Sequence, residues 1–224
     1  RCRNALDTIV TGGCNLPCRV GSRWTVDEPD IMHIVDTTLF FSPTSGGVKR
    51  YLDAKHAWYA ARAPYRHTLL VPGEREHIEV GGISTLRGTH VPGTFNYRLP
   101  LDPQRWAASL DALEPDLIEV GDAFHPAWCA ARIAQRRGIP LVAFFHSNLP
   151  ELVSQRVGRT IGAGFARYVR WLYSRFDAVF APSRFVRDYL NDLGISRVSC
   201  QPLGVDVDTF NPAQRTLDVR RELG

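Results

Sequence analysis

A doubly wound α/β sheet, mainly parallel and with helices on both faces, is the architecture this sequence predicts, and three observations predict it. Short β-branched or apolar runs alternate with stretches of helical spacing over nearly the whole chain after residue 30. Parallel strands require long crossovers, usually helices, so this alternation implies a parallel sheet. The run Leu141-Val142-Ala143-Phe144-Phe145 is apolar throughout, as in a strand buried on both faces. The first strand passes into a helix through Ser42-Pro43-Thr44-Ser45-Gly46-Gly47, at a strand end where such sheets bind ligands.

The elements follow in order. Ile31, Ile34 and Val35 mark the first strand, at 31–36. Val48, Leu52, Ala57, Tyr59 and Ala60 recur at helical spacing and predict a helix over 48–63. A second strand at 67–71 closes at Pro72-Gly73, and a β-rich passage offers short strands at 78–80, 89–91 and 97–101. Asp102-Pro103 is a good N-cap and first-turn pair for a helix through Trp106, Leu110 and Leu113, which Pro115 ends. A strand at 116–120, a turn at Gly121-Asp122-Ala123 and a helix at 126–137 closed by Gly138 precede the apolar strand at 141–145. A long helix over about 151–175, weakened by Gly158, Gly162 and Gly164, leads to a strand at 178–181. Pro182-Ser183 caps a helix at 184–193, and 198–203 is the last strand.

With 224 residues, 44% of them hydrophobic, the chain can bury one substantial core. Residues 1–30 lack periodicity and read as a tail, disordered or a non-native leader; 31–212 read as the domain, and 213–224 as the start of a linker. Arg1 as first residue and Gly224 as last suggest a piece of something longer. A formal charge of +4 suits anionic partners such as nucleotide phosphates or an acidic lipid surface, and it implies no nucleic-acid partner. No apolar run approaches the roughly 20 residues of a membrane span and no signal peptide is recognisable, so a cytoplasmic location is expected. Cys2, Cys14, Cys18, Cys129 and Cys200 are odd in number, which argues against a disulfide framework. Cys14 and Cys18 lack a neighbouring histidine or second pair, and no metal site is expected.

The doubly wound order places the first strand of each half side by side, with ligands beyond the carboxyl ends. The loops leaving 31–36, 116–120 and 141–145 then share one rim. They carry Gly46 and Gly47, then Gly121, Asp122 and His125, then His146, Ser147 and Asn148. Glycine amides at a helix start favour an anion such as phosphate; the alternative is a loop that needs positive φ. A lone histidine at a strand end is more often a structural hydrogen-bonder, so convergence at the rim is the signal. On the long helix, Arg156, Arg159, Arg167 and Arg170 fall within about a quarter of the circumference opposite Val157, Ile161, Phe165, Tyr168, Leu172 and Phe176. That stripe reads as peripheral contact with anionic lipid or an anionic acceptor, or as a solvated arginine face.

The phrase A-P-S-R-F-V-R-D-Y-L at 181–190, followed by Q-P-L-G-V-D-V-D-T-F-N-P at 201–212, resembles the end of the amino-terminal domain of family 4 retaining glycosyltransferases. S-P-T-S-G-G-V-K-R-Y-L and F-F-H-S-N-L-P-E-L fit the same resemblance, which covers nearly everything from Ile31 onward. It implies a Rossmann-like domain that is one half of a GT-B fold, and transfer of a sugar from a nucleotide-sugar donor to a glycan, lipid or small-alcohol hydroxyl, with retention. It implies that Gly46 and Gly47 approach the donor phosphate or the acceptor and that His146 is catalytic, reaching the donor sugar. Lys49 and Arg50 assist the phosphate or are exposed helix residues, and Asp122, His125 and Asn148 bind acceptor. No cofactor or metal is expected, because amide dipoles and cations can stabilise a departing diphosphate. Family members bind the nucleotide mainly in a second domain, which would begin where this chain stops, so little activity is expected from it alone. The alternative is a non-catalytic fragment that binds an acceptor or a partner chain. A dinucleotide oxidoreductase would need G-x-G-x-x-G after the first strand, and the third glycine is lacking.

Overall fold

The computed structural model describes residues 31–42, 44, 46–94, 96–205, 207, 210–214 and 221–222. The expected tail at 1–30, with Cys2, Cys14 and Cys18, lies outside the described residues, as do Pro43, Ser45 and 215–220.

Seven strands form one parallel sheet: β1 (Met32–Thr37), β2 (Tyr65–Gly73), β3 (Ile83–Arg87), β6 (Leu117–Val120), β7 (Leu141–Phe144), β8 (Ala178–Ala181) and β9 (Val198–Cys200). Their order is β3-β2-β1-β6-β7-β8-β9, so the winding reverses between β1 and β6. The short β4 (Thr89–His90) and β5 (Arg98–Leu99) pair antiparallel beside it. Helices are α1 (Gly47–Ala60), α2 (Pro103–Ala112), α3 (His125–Arg137), α4 (Leu149–Val157), α5 (Arg159–Tyr173) and α6 (Arg184–Asp192), with a 3-10 turn at Pro212–Gln214.

Period-two alternation sorts the strands between two covers. Ile34, Leu117, Val142, Phe144 and Phe180 face one side, against Tyr59 and Tyr51 of α1. Val35, Leu70, Ile118, Val120, Ala143 and Val179 face the other, against Trp106 and Leu110 of α2, Ala130 and Ile133 of α3, Val169 and Leu172 of α5 and Leu190 of α6. Each fully buried aliphatic or aromatic side chain contributes about 1.5–3 kcal/mol before ordering costs. Trp106 is buried without leaving a polar orphan, since its indole N–H donates to Thr37 Oγ1 at 3.1 Å. The expected caps form: Asp102 accepts from the Gln104 and Arg105 amides, Ser183 accepts from the Val186 amide, and Gly138 closes α3 at φ 64°.

Five expectations change. The edge strand is 83–87 rather than 78–80: Ile78 and Val80 are 44% and 51% exposed, and the inward positions belong to Ser84 and Leu86. Ser84 is tolerated inside because its hydroxyl donates to the Glu79 carbonyl and accepts from the Glu79 amide. β2 runs through Pro72 to Gly73, because β3 continues its ladder there. The final strand stops at Cys200, and the helix expected over 48–63 ends at Ala60. The long helix is two helices, since Gly158 adopts φ 107°, a left-handed backbone that no helix can pass through. Gly162 lies where a Cβ would meet Ser154 Cα at 2.7 Å, so the absence of a side chain lets α5 fold back onto α4.

Candidate functional site

β1, β6 and β7 are neighbours, so the three loops that leave their carboxyl ends meet at one rim. Approach there is close. The Gly121 amide donates to the Thr37 carbonyl at 3.0 Å, and a Cβ on Gly121 would lie 3.1 Å from Thr38 Cβ and 3.4 Å from His146 Cδ2. Glycine is what lets the β6 loop pass between the other two.

The His146 ring stacks on Phe144 at 4.5 Å between centroids and meets Tyr51 of α1 edge-on at 5.1 Å. Its Nε2 is buried with no hydrogen-bond partner among the described residues. Burial lowers its pKa to about 4, against a small upward pull from Asp36, so the ring is uncharged at neutral pH. A neutral imidazole beside apolar rings can donate or accept one hydrogen bond to an incoming group.

At the start of α1, Gly46 has φ −84°, which lies outside the left-handed region, and a Cβ on Gly46 or Gly47 would meet nothing within 4 Å among the described residues. Positive φ is therefore not what these glycines supply. Among the described residues the helix start has no side-chain cap, and its first turn has no acidic residue to oppose an anion at its positive end. Lys49 is half-buried, paired with Asp53 one turn on, with its ammonium 5.5 Å from the Phe41 ring centroid, whereas Arg50 is exposed.

The structure gives Asp122 and Asn148 hydrogen-bond partners within the fold and seats the His125 ring against Trp106. Asp122 is 2% exposed, and its carboxylate accepts from the Leu39 amide at 2.6 Å, the Thr38 hydroxyl at 3.0 Å and the Phe124 amide at 3.0 Å. Burial pushes its carboxyl above the ordinary range, and these donors pull it part of the way back. It clamps the β1 loop to the start of α3. His125 opens α3 with its ring perpendicular to Trp106 at 5.5 Å, its Nε2 is buried and unpartnered among the described residues, and burial lowers its pKa. Asn148 caps α4 by accepting from the Glu151 amide at 3.3 Å. His146, Gly121 and Asp122 line one small crevice with Phe40, Leu149 and Tyr173. A groove of about 680 Å³ lies elsewhere, between α3 and α5 at the amino end of β7.

One set of residues was not anticipated. Asp36 of β1 and Glu119 of β6 stand directly opposite each other, and Lys55 of α1 sits between them at 2.8 and 2.7 Å. Burial raises the Asp36 carboxyl, but Lys55 and then His67 outweigh it and hold it at about 2; burial raises Glu119, and Lys55 only partly opposes that. Burial depresses the Lys55 ammonium, yet the two carboxylates carry it well above its usual range. The Tyr51 hydroxyl donates to Glu119 at 3.1 Å. The signal was present in the sequence: one carboxylate inside each of two apolar strands, with Tyr51 and Lys55 four apart on the facing helix.

Arg156, Arg159, Arg167 and Arg170 are all exposed, but the break at Gly158 puts the first on α4 and the other three on α5, so one continuous stripe is not formed. Arg170 also leans on the loop after α6, its Cζ 3.1 Å from where a Gly194 Cβ would be. No helix among the described residues is long and apolar enough to cross a membrane.

A family model described as Glycosyltransferase Family 4 matches residues 45–209. The chain is 30% identical over 195 residues to a GDP-mannose-dependent alpha-(1-6)-phosphatidylinositol dimannoside mannosyltransferase of Mycobacterium tuberculosis, covering 85% of this chain and 50% of that protein. A GDP-mannose-dependent alpha-mannosyltransferase of the same species is 30% identical over 118 residues, covering 52% of this chain and 31% of that protein. The chain therefore spans half or less of the length of these relatives. In fold it is similar to sucrose-phosphate synthase from Thermosynechococcus elongatus, with TM-score 0.61 at 16% identity over 86% of this chain and 52% of that one. Anabaena HepE in complex with UDP-glucose gives TM-score 0.56 at 18% identity, covering 86% of this chain and 50% of that one.

Proposed function

We propose, from the premise that this chain belongs to glycosyltransferase family 4, that it is the acceptor-side half of an enzyme moving a sugar from a nucleotide-sugar to a hydroxyl. The observation that carries this reading is the His146 imidazole, uncharged at neutral pH and with an Nε2 that has no partner among the described residues, on the same rim as the start of α1, which has no side-chain cap among them. His146 is assigned to hydrogen-bond the donor sugar, and the amides at Gly46 and Gly47 to face the phosphate, with Lys49 and Arg50 adding positive charge nearby. Fixed dipoles aimed at charge that develops in the transition state need no reorganisation when it appears, and the proposed chemistry uses no metal. His125 faces the acceptor in this reading, while Asp122 and Asn148 shape the acceptor side by holding its loops.

The two mannosyltransferase relatives suggest GDP-mannose as donor and a glycolipid hydroxyl as acceptor. Such an acceptor calls for contact with a lipid surface, which we assign to the exposed Arg156, Arg159, Arg167 and Arg170 beside exposed Ile161 and Trp171. The test is mannosyl transfer from GDP-mannose, measured with this chain alone and with the donor-binding half of a family relative supplied in trans. The expected result is little or no turnover alone, recovery with the added half, and a loss of about 100-fold or more on His146→Ala, the scale of removing one preorganised donor. Turnover by the chain alone, or full activity of His146→Ala, overturns the reading.

A further inference from the structure

A buried lysine between two buried carboxylates is costly, and a set of apolar side chains of similar volume is often equally stable or more so. Much of the surroundings is apolar, with Ile34, Tyr59, Leu117 and Phe144 packed as one cluster, and the buried His67 ring stands 3.3 Å from Asp36. The charges also begin from a bad position, since Asp36 and Glu119 are cross-strand neighbours and like charges directly opposite repel. Lys55 resolves that conflict with both carboxylates, at 2.8 and 2.7 Å. The set therefore clamps α1 onto the two strands that flank the winding reversal, at one depth and one rotation.

The same clamp reaches the imidazole through one residue. Tyr51 lies one turn before Lys55, on the same face of α1. Its hydroxyl donates to Glu119 at 3.1 Å, its ring lies 4.8 Å from Phe144 and 5.1 Å from His146, and the Lys55 ammonium is 5.9 Å from its centroid. His146 Nε2 has no partner of its own among the described residues, so contacts with other rings orient it. We propose that Tyr51 is the positioning residue of this site: its ring orients His146, and its hydroxyl ties that contact to the Glu119–Lys55–Asp36 set that also fixes the start of α1. The imidazole and the glycine turn are thereby held against one common reference.

This inference rests on the reading of His146 as the reacting-side imidazole, but its test contains no turnover, so the two fail separately. The readout is the titration of the His146 ring, followed by NMR of the histidine-labelled chain and assigned by its loss in His146→Asn. The charged and titratable groups facing that ring are Asp36 from β1, Lys55 and Tyr51 from α1, Glu119 from β6, and Asp122 and Tyr173 across the crevice. Tyr51→Leu and Tyr51→Phe change none of the formal charges at neutral pH, and both remove the hydroxyl that holds the Glu119 carboxyl down, so the difference between their shifts reports the change in ring burial. With Tyr51→Leu the midpoint rises from about 4 by about one pH unit or more toward the ordinary imidazole value. With Tyr51→Phe, which keeps the ring and removes the hydroxyl, it rises by a few tenths, about one third of the Tyr51→Leu shift. An unchanged midpoint in Tyr51→Leu, with or without a lower melting temperature, overturns the proposal. A Tyr51→Phe midpoint identical to the parent overturns the part assigned to the charge set, and Tyr51→Met, which fills the same space without a ring, carries the test of the ring, with the same overturning result, if Tyr51→Leu does not fold.

Discussion

His146 stores a pH dependence that follows from where it sits. Its pKa is about 4 in the folded chain and near 6.5 when exposed, so between those values the unfolded state takes up a proton that the folded state refuses. Stability therefore falls as pH drops from 6.5 to 4, by on the order of 3 kcal/mol for this ring alone at about 1.4 kcal/mol per unit. Urea unfolding at pH 7 and pH 4 should show a smaller loss in His146→Asn than in the parent; His125 and His33 are also lowered by burial and act with the same sign in both. Asp122 works through its acceptors. Asp122→Ala strands the buried Leu39 amide and frees the Phe124 amide, and an expected cost of about 2–3 kcal/mol, read by thermal or urea unfolding, follows from the unmade hydrogen bonds. At this scale the sequence pointed to these strand ends but not to the structural work done there: Asp122 and Asn148 look alike as polar loop residues until their partners are known, and one is a buried clamp while the other is a helix cap.

Among the elements, α1 depends most on a single contact. Lys55→Met removes the cation from between Asp36 and Glu119 and leaves two carboxylates facing each other in the core, an uncompensated burial that costs about 3–5 kcal/mol. Asp36 keeps the buried His67 ring at 3.3 Å, while the Glu119 carboxyl, already raised by burial, loses the cation that opposes that rise, so through Glu119 the variant loses stability as pH rises through the carboxylate range and regains it on acidification. Denaturant midpoints at pH 5 and pH 8 read that sign directly. The joint between α4 and α5 is set by backbone: Gly158→Ala forces a Cβ into φ 107°, with an expected cost of about 1–3 kcal/mol in a melting experiment. Helical periodicity ran on through 158 because it registers side-chain spacing and is blind to one left-handed residue. The edge strand was missed for the converse reason, since the inward Ser84 disguised an alternation that its hydroxyl makes affordable.

For the molecule as a whole, the half-site reading has a binding consequence. A chain that holds one wall of a nucleotide-sugar site should bind GDP-mannose roughly 100-fold more weakly, by calorimetry, than the same chain joined to a donor-binding half, a difference of about 2.7 kcal/mol. Sequence by itself determined the doubly wound architecture and most strand and helix positions, because strand burial, helix spacing and capping are read from residues close together in the chain; the family came from the resemblance carried by the phrases at 181–190 and 201–212. It also pointed to which loops share the rim, because the commonest doubly wound order sets the first strands of the two halves side by side, as β1 and β6 are. Tertiary structure alone decided that Lys55 bridges Asp36 and Glu119, that Tyr51 meets His146, and that Gly46 and Gly47 leave open space rather than a positive φ. Those contacts join residues tens of positions apart, and whether a charge inside an apolar strand is tolerated depends on a partner that local pattern cannot supply.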